Sequence, residues 1–503
     1  MSNAGTATQF NYGAAMLSYI ITHELKNIFF SPKFTLTFAV VTVLLLLSVV
    51  VGIGQFNNAT RQYETSTQLV QQEMREARGW MALNNKIFRK PDPMQIFVSG
   101  VHNDIGRISG INSFNSIKLT HSTYSDDPIY AVFRFIDFAF IVTVVFSLLA
   151  ILFTFDAVNG EAERGTLQLI FSNAVPRTQY ITGKFIGAWL GLAIPLLLPL
   201  LLSVLLLLVW NVPMTNDHWL KLTALFGAAL LYQTFFIALG LFLSTTTKRS
   251  SVSFLFSLVV WVCLVFIFPR AGATVAGQII NVPTVAEIEG QRDAYSKDRW
   301  TQYEQVMQDK WKARNAPTNG LSKEERETYR EEKMWQWMEE DDNDRKQVQQ
   351  DIDAFTKKVN DDVRNKKSEQ ERFAFTLSRF SPASAFQLAA MNLTGTDIAL
   401  KTRYEDALND FRPLFTSYKD KKQKESGGIG GIRIEMNSDT GVKIDTGREK
   451  GVLDISDMPQ FEHPAHSFRD AAIPAIIDVG LLGIFSLAVF AGAFVRFLRY
   501  DVR

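Results

Sequence analysis

Hydrophobic residues in this chain fall into long blocks separated by strongly polar ones. Nearly charge-free runs cover Thr35–Gly54, Phe135–Phe155, Phe185–Trp210, Leu222–Ser244, Val252–Phe268 and Ile473–Val495. A helix needs about 20 apolar residues to cross the hydrocarbon core of a bilayer. Six separate runs of this length, several almost entirely Leu, Val, Ile and Phe, do not suit the buried core helices of a soluble protein. The pattern predicts six transmembrane helices, over 34–54, 132–155, 185–210, 222–244, 252–269 and 473–495. The first run starts too far into the chain, and is too long, for the core of a cleaved signal peptide.

The remaining segments carry other periods. Leu17, Ile20, Ile21, Leu25, Ile28 and Phe29 recur at helical spacing, with Glu24 and Lys26 read onto other faces. Residues 1–33 are therefore a tail with an amphipathic helix lying in the membrane interface. Residues 55–131 form a first segment outside the spans, helical over Gln68–Lys86. Residues 270–472 form a second, larger one. Within it, 284–379 is rich in strong helix formers and broken at Asn315–Gly320, and Ser322 with Glu325 makes a capping box that restarts the helix. The expectation is a long antiparallel helical hairpin, with Trp300, Trp311, Trp335 and Trp337 as candidates for its apolar seam. Shorter helices follow over 383–391 and 396–422, then a glycine-rich break. A β-hairpin pairs Ile432–Met436 with Val442–Asp445.

Lys and Arg in the short flanks set orientation. Lys26, Lys33, Arg164, Arg177, Lys184, Lys248, Arg249, Arg496, Arg499 and Arg503 fall on one side when both termini are cytoplasmic. The fold class is thus an α-helical membrane protein with six transmembrane helices and cytoplasmic termini (1–33 and 496–503). Its extracytoplasmic part, 55–131 and 270–472, is mostly helical with a small β-hairpin. Composition adds exclusions. A net charge of +1 over 503 residues gives no bulk attraction to nucleic acid. The one cysteine, Cys263, excludes an intrachain disulfide.

Candidate chemistry concentrates in the loop 156–184. It holds Glu161, Glu163, Arg164, Gly165 and Thr166, then a short amphipathic stretch, then Pro176 and Arg177, then Gly183 and Lys184. A phosphate-binding loop needs two glycines five apart, the second followed by Lys and Ser or Thr. Gly160 and Gly165 have the spacing, but Thr166 stands where lysine is required; Gly183-Lys184 has Thr178 where the first glycine belongs. Intrinsic ATP binding is therefore rejected, and with it an enzymatic role for the chain itself.

The order Glu161-x-Glu163-x-Gly165-Thr166-Leu167, Pro176-Arg177, Gly183-Lys184, set in six spans behind an interfacial helix, resembles the first cytoplasmic loop of ABC type-2, type V exporter-like transporter permeases. The resemblance covers residues 17–270 and, loosely, the sixth span. It implies a dimeric permease in the bacterial inner membrane. This would be a homodimer or a heterodimer, driven by a separate ATPase subunit that binds ATP and Mg and docks on 156–184. No cofactor would be bound by the permease itself. On this reading Glu163→Lys detaches or uncouples the ATPase. The insert and Ser381-Pro382-Ala383-Ser384 resemble permeases associated with multicopper-enzyme maturation, as in nitrous-oxide reductase assembly. A competing reading is a mechanotransmission or scaffold protein that grips an extracytoplasmic partner and moves no substrate.

Polar residues within spans are functional candidates. Gln233, Arg134, Asp137 and Asp478 are candidates for a polar pathway or for interhelical bonds, Arg134 and Asp137 as a pair three residues apart. His463 and His466, flanking Pro464, have spacing for a copper or zinc ion but lack further ligands, so ordinary histidines are the expectation and no metal site is assigned.

Overall fold

The computed structural model describes residues 3–501 apart from 78, 81–82, 112–118, 124–135, 174, 321, 426–432, 438–440 and 446–452. It is mostly helical, with six helices long and apolar enough to cross a membrane. They are Pro32–Glu76, Phe138–Glu163, Arg177–Val209, Asn216–Thr246, Ser250–Ile279 and Phe468–Leu498. The chain divides into two units, Met1–Ile267 with Ser381–Arg503, and Phe268–Phe380.

In the first unit, α1 (Asn3–Phe29) breaks at Ser31, whose hydroxyl accepts from Phe34 N–H and opens α2 (Pro32–Glu76) with proline in its first turn. α2 does not stop where its apolar run stops. It is 45 residues long, about 67 Å at 1.5 Å per residue, because Gln, Thr, Glu and Arg continue the helix after Gly54. The predicted helix over Gln68–Lys86 is corrected accordingly: it ends at Glu76, and Lys86 lies in β1 (Asn85–Phe88), which pairs antiparallel with β2 (Ile108–Ile111). The second span has a π-helical turn at Ile141–Phe146, then α3 (Ser147–Thr154) and α4 (Asn159–Glu163). α5 (Thr166–Ser172) precedes α6 (Arg177–Val209), α7 (Asn216–Thr246) and α8 (Ser250–Val262). α9 (Phe268–Ile279), α10 (Val285–Asn315) and α11 (Lys323–Ser378) make the second unit. The chain then returns as α12 (Pro382–Thr394), α13 (Ala399–Glu425), the hairpin β3 (Arg433–Asn437) with β4 (Gly441–Asp445), and α14 (Phe468–Leu498).

The main core of the first unit is the seam where α7 packs on α14, α3 and α12. Ser381 caps α12, Pro382 fills its first turn, and Ala383, Ala385, Ala389 and Ala390 are buried. This small-residue face lets α12 lie close among the spans. Its Phe386 stacks on Tyr232, near the midpoint of α7, at 4.9 Å. The Ser381–Ser384 stretch is thus a helix start packed into the bundle. A second core joins the far end of α2 (Val70, Met74) to α13 (Leu408, Phe411, Phe415) and to Leu453 and Met458.

In the second unit α10 and α11 run antiparallel, each opened by a capping box, at Thr284 with Glu287 and at Ser322 with Glu325. The tryptophan seam is corrected in part: Trp300 and Trp337 are half-buried, Trp337 under the Arg314 guanidinium of the facing helix at 5.4 Å, but the other two face outward. Trp311 and Trp335 are 68% and 72% exposed. The helices meet instead through a ladder of Arg299–Asp351, Lys310–Asp344 and Arg314–Asp341, with Tyr295 stacked on Phe355 at 4.0 Å and Val348 and Val359 buried. A helix with so few apolar residues turns its complementary charges inward, because long Lys and Arg stems cover the seam while their heads pair.

Candidate functional site

α6 begins after Pro176 and carries Tyr180 and Lys184 one turn apart, on one face. Lys184 is 5% exposed, a cost that only paired charges offset. Its Nζ donates to Glu161 Oε1 at 2.5 Å and to Glu24 Oε2 at 2.6 Å. Glu161 comes from α4 and Glu24 from α1. Tyr180 OH donates to the second oxygen of Glu161 at 2.5 Å, so both oxygens of that carboxylate accept. One cation and two carboxylates are closed off together, and three separate segments meet on one ammonium.

Glu24 corrects the sequence reading. It does not lie on another face of α1; it is 5% exposed, in phase with Ile20 and Ile28. All three face a row of glycines on α6. A Cβ at Gly183 would come within 2.7 Å of Ile20 Cγ2, at Gly187 within 2.6 Å of Glu24 Cβ, and at Gly191 within 2.8 Å of Ile28 Cδ1. This is the small-residue packing that membrane helices use to approach closely. The four-residue glycine spacing, matched to Ile20, Glu24 and Ile28, was the signal that could have found Glu24. Tyr180 had no signal beyond its place one turn before Lys184.

The turn between α3 and α5 is fastened on its other sides as well. Ser244 Oγ, near the end of α7, accepts from Val158 N–H at 2.9 Å, and Asn159 Nδ2 donates to Thr247 at 3.0 Å. Glu163 accepts from the Ser250 N–H at 3.0 Å and its hydroxyl at 2.6 Å, placing a carboxylate at the start of α8 where the helix dipole favours it. Gly165, at φ +75, turns the chain into α5, and Thr166 Oγ1 donates to Glu161 O at 3.1 Å. Arg177 Nη1 donates to the carbonyls of Leu498 at 2.7 Å and Tyr500 at 3.0 Å, capping α14. What stays outward is Arg164 and one face of α5, where Leu169 is 67% exposed while Leu167 is buried. The predicted loop residues therefore do come together, most of them bonded within the chain.

The described intramembrane candidates are each placed in a separate part of the bundle. Gln233, 1% exposed, donates to Leu192 O at 3.2 Å, an interhelical bond. Asp137 caps its helix through Phe140 N–H and accepts from Ser99 N–H and hydroxyl, both at 3.0 Å. Arg134 lies outside the described residues. Asp478 is fully buried on α14. His463 Nε2 is 2.8 Å from Tyr63 OH, and His466 faces Asn392 O, 3.4 Å away. Among the described residues no group of three or more His, Cys, Asp or Glu is placed to hold a metal ion.

Residues 18–502 match the model of a family described as ABC-2 family transporter protein. The match does not extend to the multicopper-maturation resemblance. No curated protein matches the chain.

Proposed function

The chain belongs to the ABC-2 transporter family, a family of multi-pass membrane proteins, and on that premise we propose that it is the permease subunit of an exporter driven by a separate ATPase. The permease works as a dimer, and the ATPase docks on the outward face of α5. The observation that carries the reading is the fastening of the α4–α5 turn. Glu24 ties α4 to α1 through Lys184, Ser244 ties its start to α7 and Glu163 its end to α8, while Arg177, opening α6 just after α5, is bonded to the end of α14. A displacement of α5 is therefore passed to four helices at once, which is what a coupling element must do. The ends that meet at this turn carry Arg164, Arg177, Lys248, Arg249, Arg496 and Arg499, which supports a cytoplasmic placement.

The test is Leu169→Asp. The residue is exposed, so the subunit should fold and insert normally. A partner ATPase recovered with the wild-type chain should be lost, and ATP-dependent transport with it. Undiminished co-purification and transport would overturn α5 as the docking helix.

A further inference from the structure

A cleft of about 670 Å³ lies between the far end of α2, strand β1 and the extended segment 453–463. Its volume falls in the roughly 300–1,000 Å³ range of small-molecule sites. The apolar lining includes Val70, Met74, Ile87, Leu453, Met458 and Phe461. The polar lining leans to one sign: Arg75 and Lys86 against a single carboxylate, Asp454, which is turned to the Ser456 N–H at 3.0 Å. Lys86 also lies 3.7 Å from Glu73. His463 lines the cleft too; its Nε2 is held by Tyr63, whereas its Nδ1 is buried with no partner among the described residues.

Next to the cleft's Phe88 is a buried cation with no carboxylate partner among the described residues. Arg89, directly after β1, is 6% exposed. Its Nη2 donates to His102 O at 2.7 Å, while Nε and Nη1 have no partner among the described residues. The groups acting on it electrostatically are the Tyr404 phenol and Arg107, and no carboxylate is among them. Burial pulls the guanidinium down to about 10, so it stays charged at neutral pH. The Tyr404 ring is 6.2 Å from that of His463. Arg89 follows Phe88, which lines the cleft, so its buried charge lies one residue from the cleft wall and contributes to the field there.

We infer that this cleft binds an amphiphile with a carboxylate or phosphate head. The head sits by His463, Arg75 and Lys86, in the field of Arg89, and the apolar body lies against Met74, Ile87 and Phe461. Tyr63 lies about 13 Å along α2 beyond Gly54 at 1.5 Å per residue, so a lipid would have to leave the apolar zone of the helix to enter. The inference goes beyond the transport reading, and its test needs neither nucleotide nor ATPase.

The full-length chain is placed in nanodiscs of zwitterionic phosphatidylcholine, and a dansyl-labelled fatty acid is titrated by fluorescence. Cleft binding is the part of the signal removed by Gln71→Trp, which fills the cleft from an exposed position on α2; Thr67→Phe serves if that variant does not fold. Oleate should displace the probe, and oleyl alcohol should do so about tenfold more weakly, the step expected for losing one charge-assisted hydrogen bond. Arg75→Gln with Lys86→Gln should erase that difference. Displacement by phosphatidylglycerol built into the disc identifies a membrane source, and displacement by added oleate alone a soluble one. No signal sensitive to the filling variants, or equal competition by acid and alcohol, overturns the proposal.

Discussion

Glu24 and Lys184, 160 positions apart in the chain, meet at 2.6 Å with both side chains less than one-tenth exposed. Because Glu161 shares the same ammonium, the three partners are not equivalent. Lys184→Met leaves two carboxylates closed in together and should destabilise the first unit by about 3–5 kcal/mol. Glu24→Gln leaves a neutral Lys184–Glu161 pair still bonded by Tyr180 and should cost clearly less. Thermal unfolding midpoints of the purified variants give the order, and a milder Lys184→Met would show that the cluster does not hold the turn.

Gly187→Ala should lower stability, since its new Cβ would come within 2.6 Å of Glu24 Cβ. Elsewhere in a helix the same change stabilises by up to about 1 kcal/mol. Gly480→Ala on α14, with nothing within 4 Å, is the matched control. Opposite signs in unfolding midpoint are expected for the pair.

Glu163→Gln keeps an oxygen that accepts from Ser250, so coupling should survive. Glu163→Lys puts a cation at the start of α8, where the dipole opposes it. ATP-dependent transport should fall several-fold in the Lys variant while the partner ATPase still binds. The residue's bonds are all within the chain, so loss of binding would instead place it in the docking surface.

In the second unit Trp335→Ala should change stability by no more than about 0.5 kcal/mol, as exposed positions do. Phe355→Ala removes the stack on Tyr295 and should cost more, an aromatic pair contributing about 0.5–1.5 kcal/mol beyond its area. Hydrogen exchange over 285–378 reads both; equal protection loss would restore tryptophan to the seam.

Acid should open the tip of the hairpin first. The hydrogen bond from Arg314 holds the Asp341 carboxyl below its ordinary 3.8. A carboxyl lowered on folding stabilises fully above its unfolded value, and the contribution is lost as pH falls through the lowered folded value. Exchange protection around Arg314 and Asp341 should therefore be constant from neutral pH to just above 4 and drop below it. Insensitivity down to strong acid would remove the pair from the seam.

The spans were legible because a charge-free run of bilayer length has few other uses. Their ends were less so. α2 passes through Gly52 and Gly54 without stopping, since the helix formers beyond them outweigh two glycines. The capping boxes located both hairpin helices, yet hydrophobicity could not choose their faces: the ladder Arg299–Asp351 won over Trp311 and Trp335. The loop 156–184 was recognised as a unit, but half of its central cluster was not, because the partner of Lys184 lies in a segment whose stripe looked purely apolar. Asp137 accepts from Ser99, a contact no local spacing encodes, while its pairing with Arg134 falls outside the described residues.

Arg177 donates to carbonyls of Leu498 and Tyr500, more than three hundred positions downstream. During synthesis its guanidinium must wait for those carbonyls until nearly the whole of 1–500 has left the ribosome. The turn that carries α5 is thus completed late, when α14 packs beside α7. A half-made chain presents no finished platform, so an ATPase present in excess would engage full-length permeases and ignore nascent ones. Assembly order is written into a single cap.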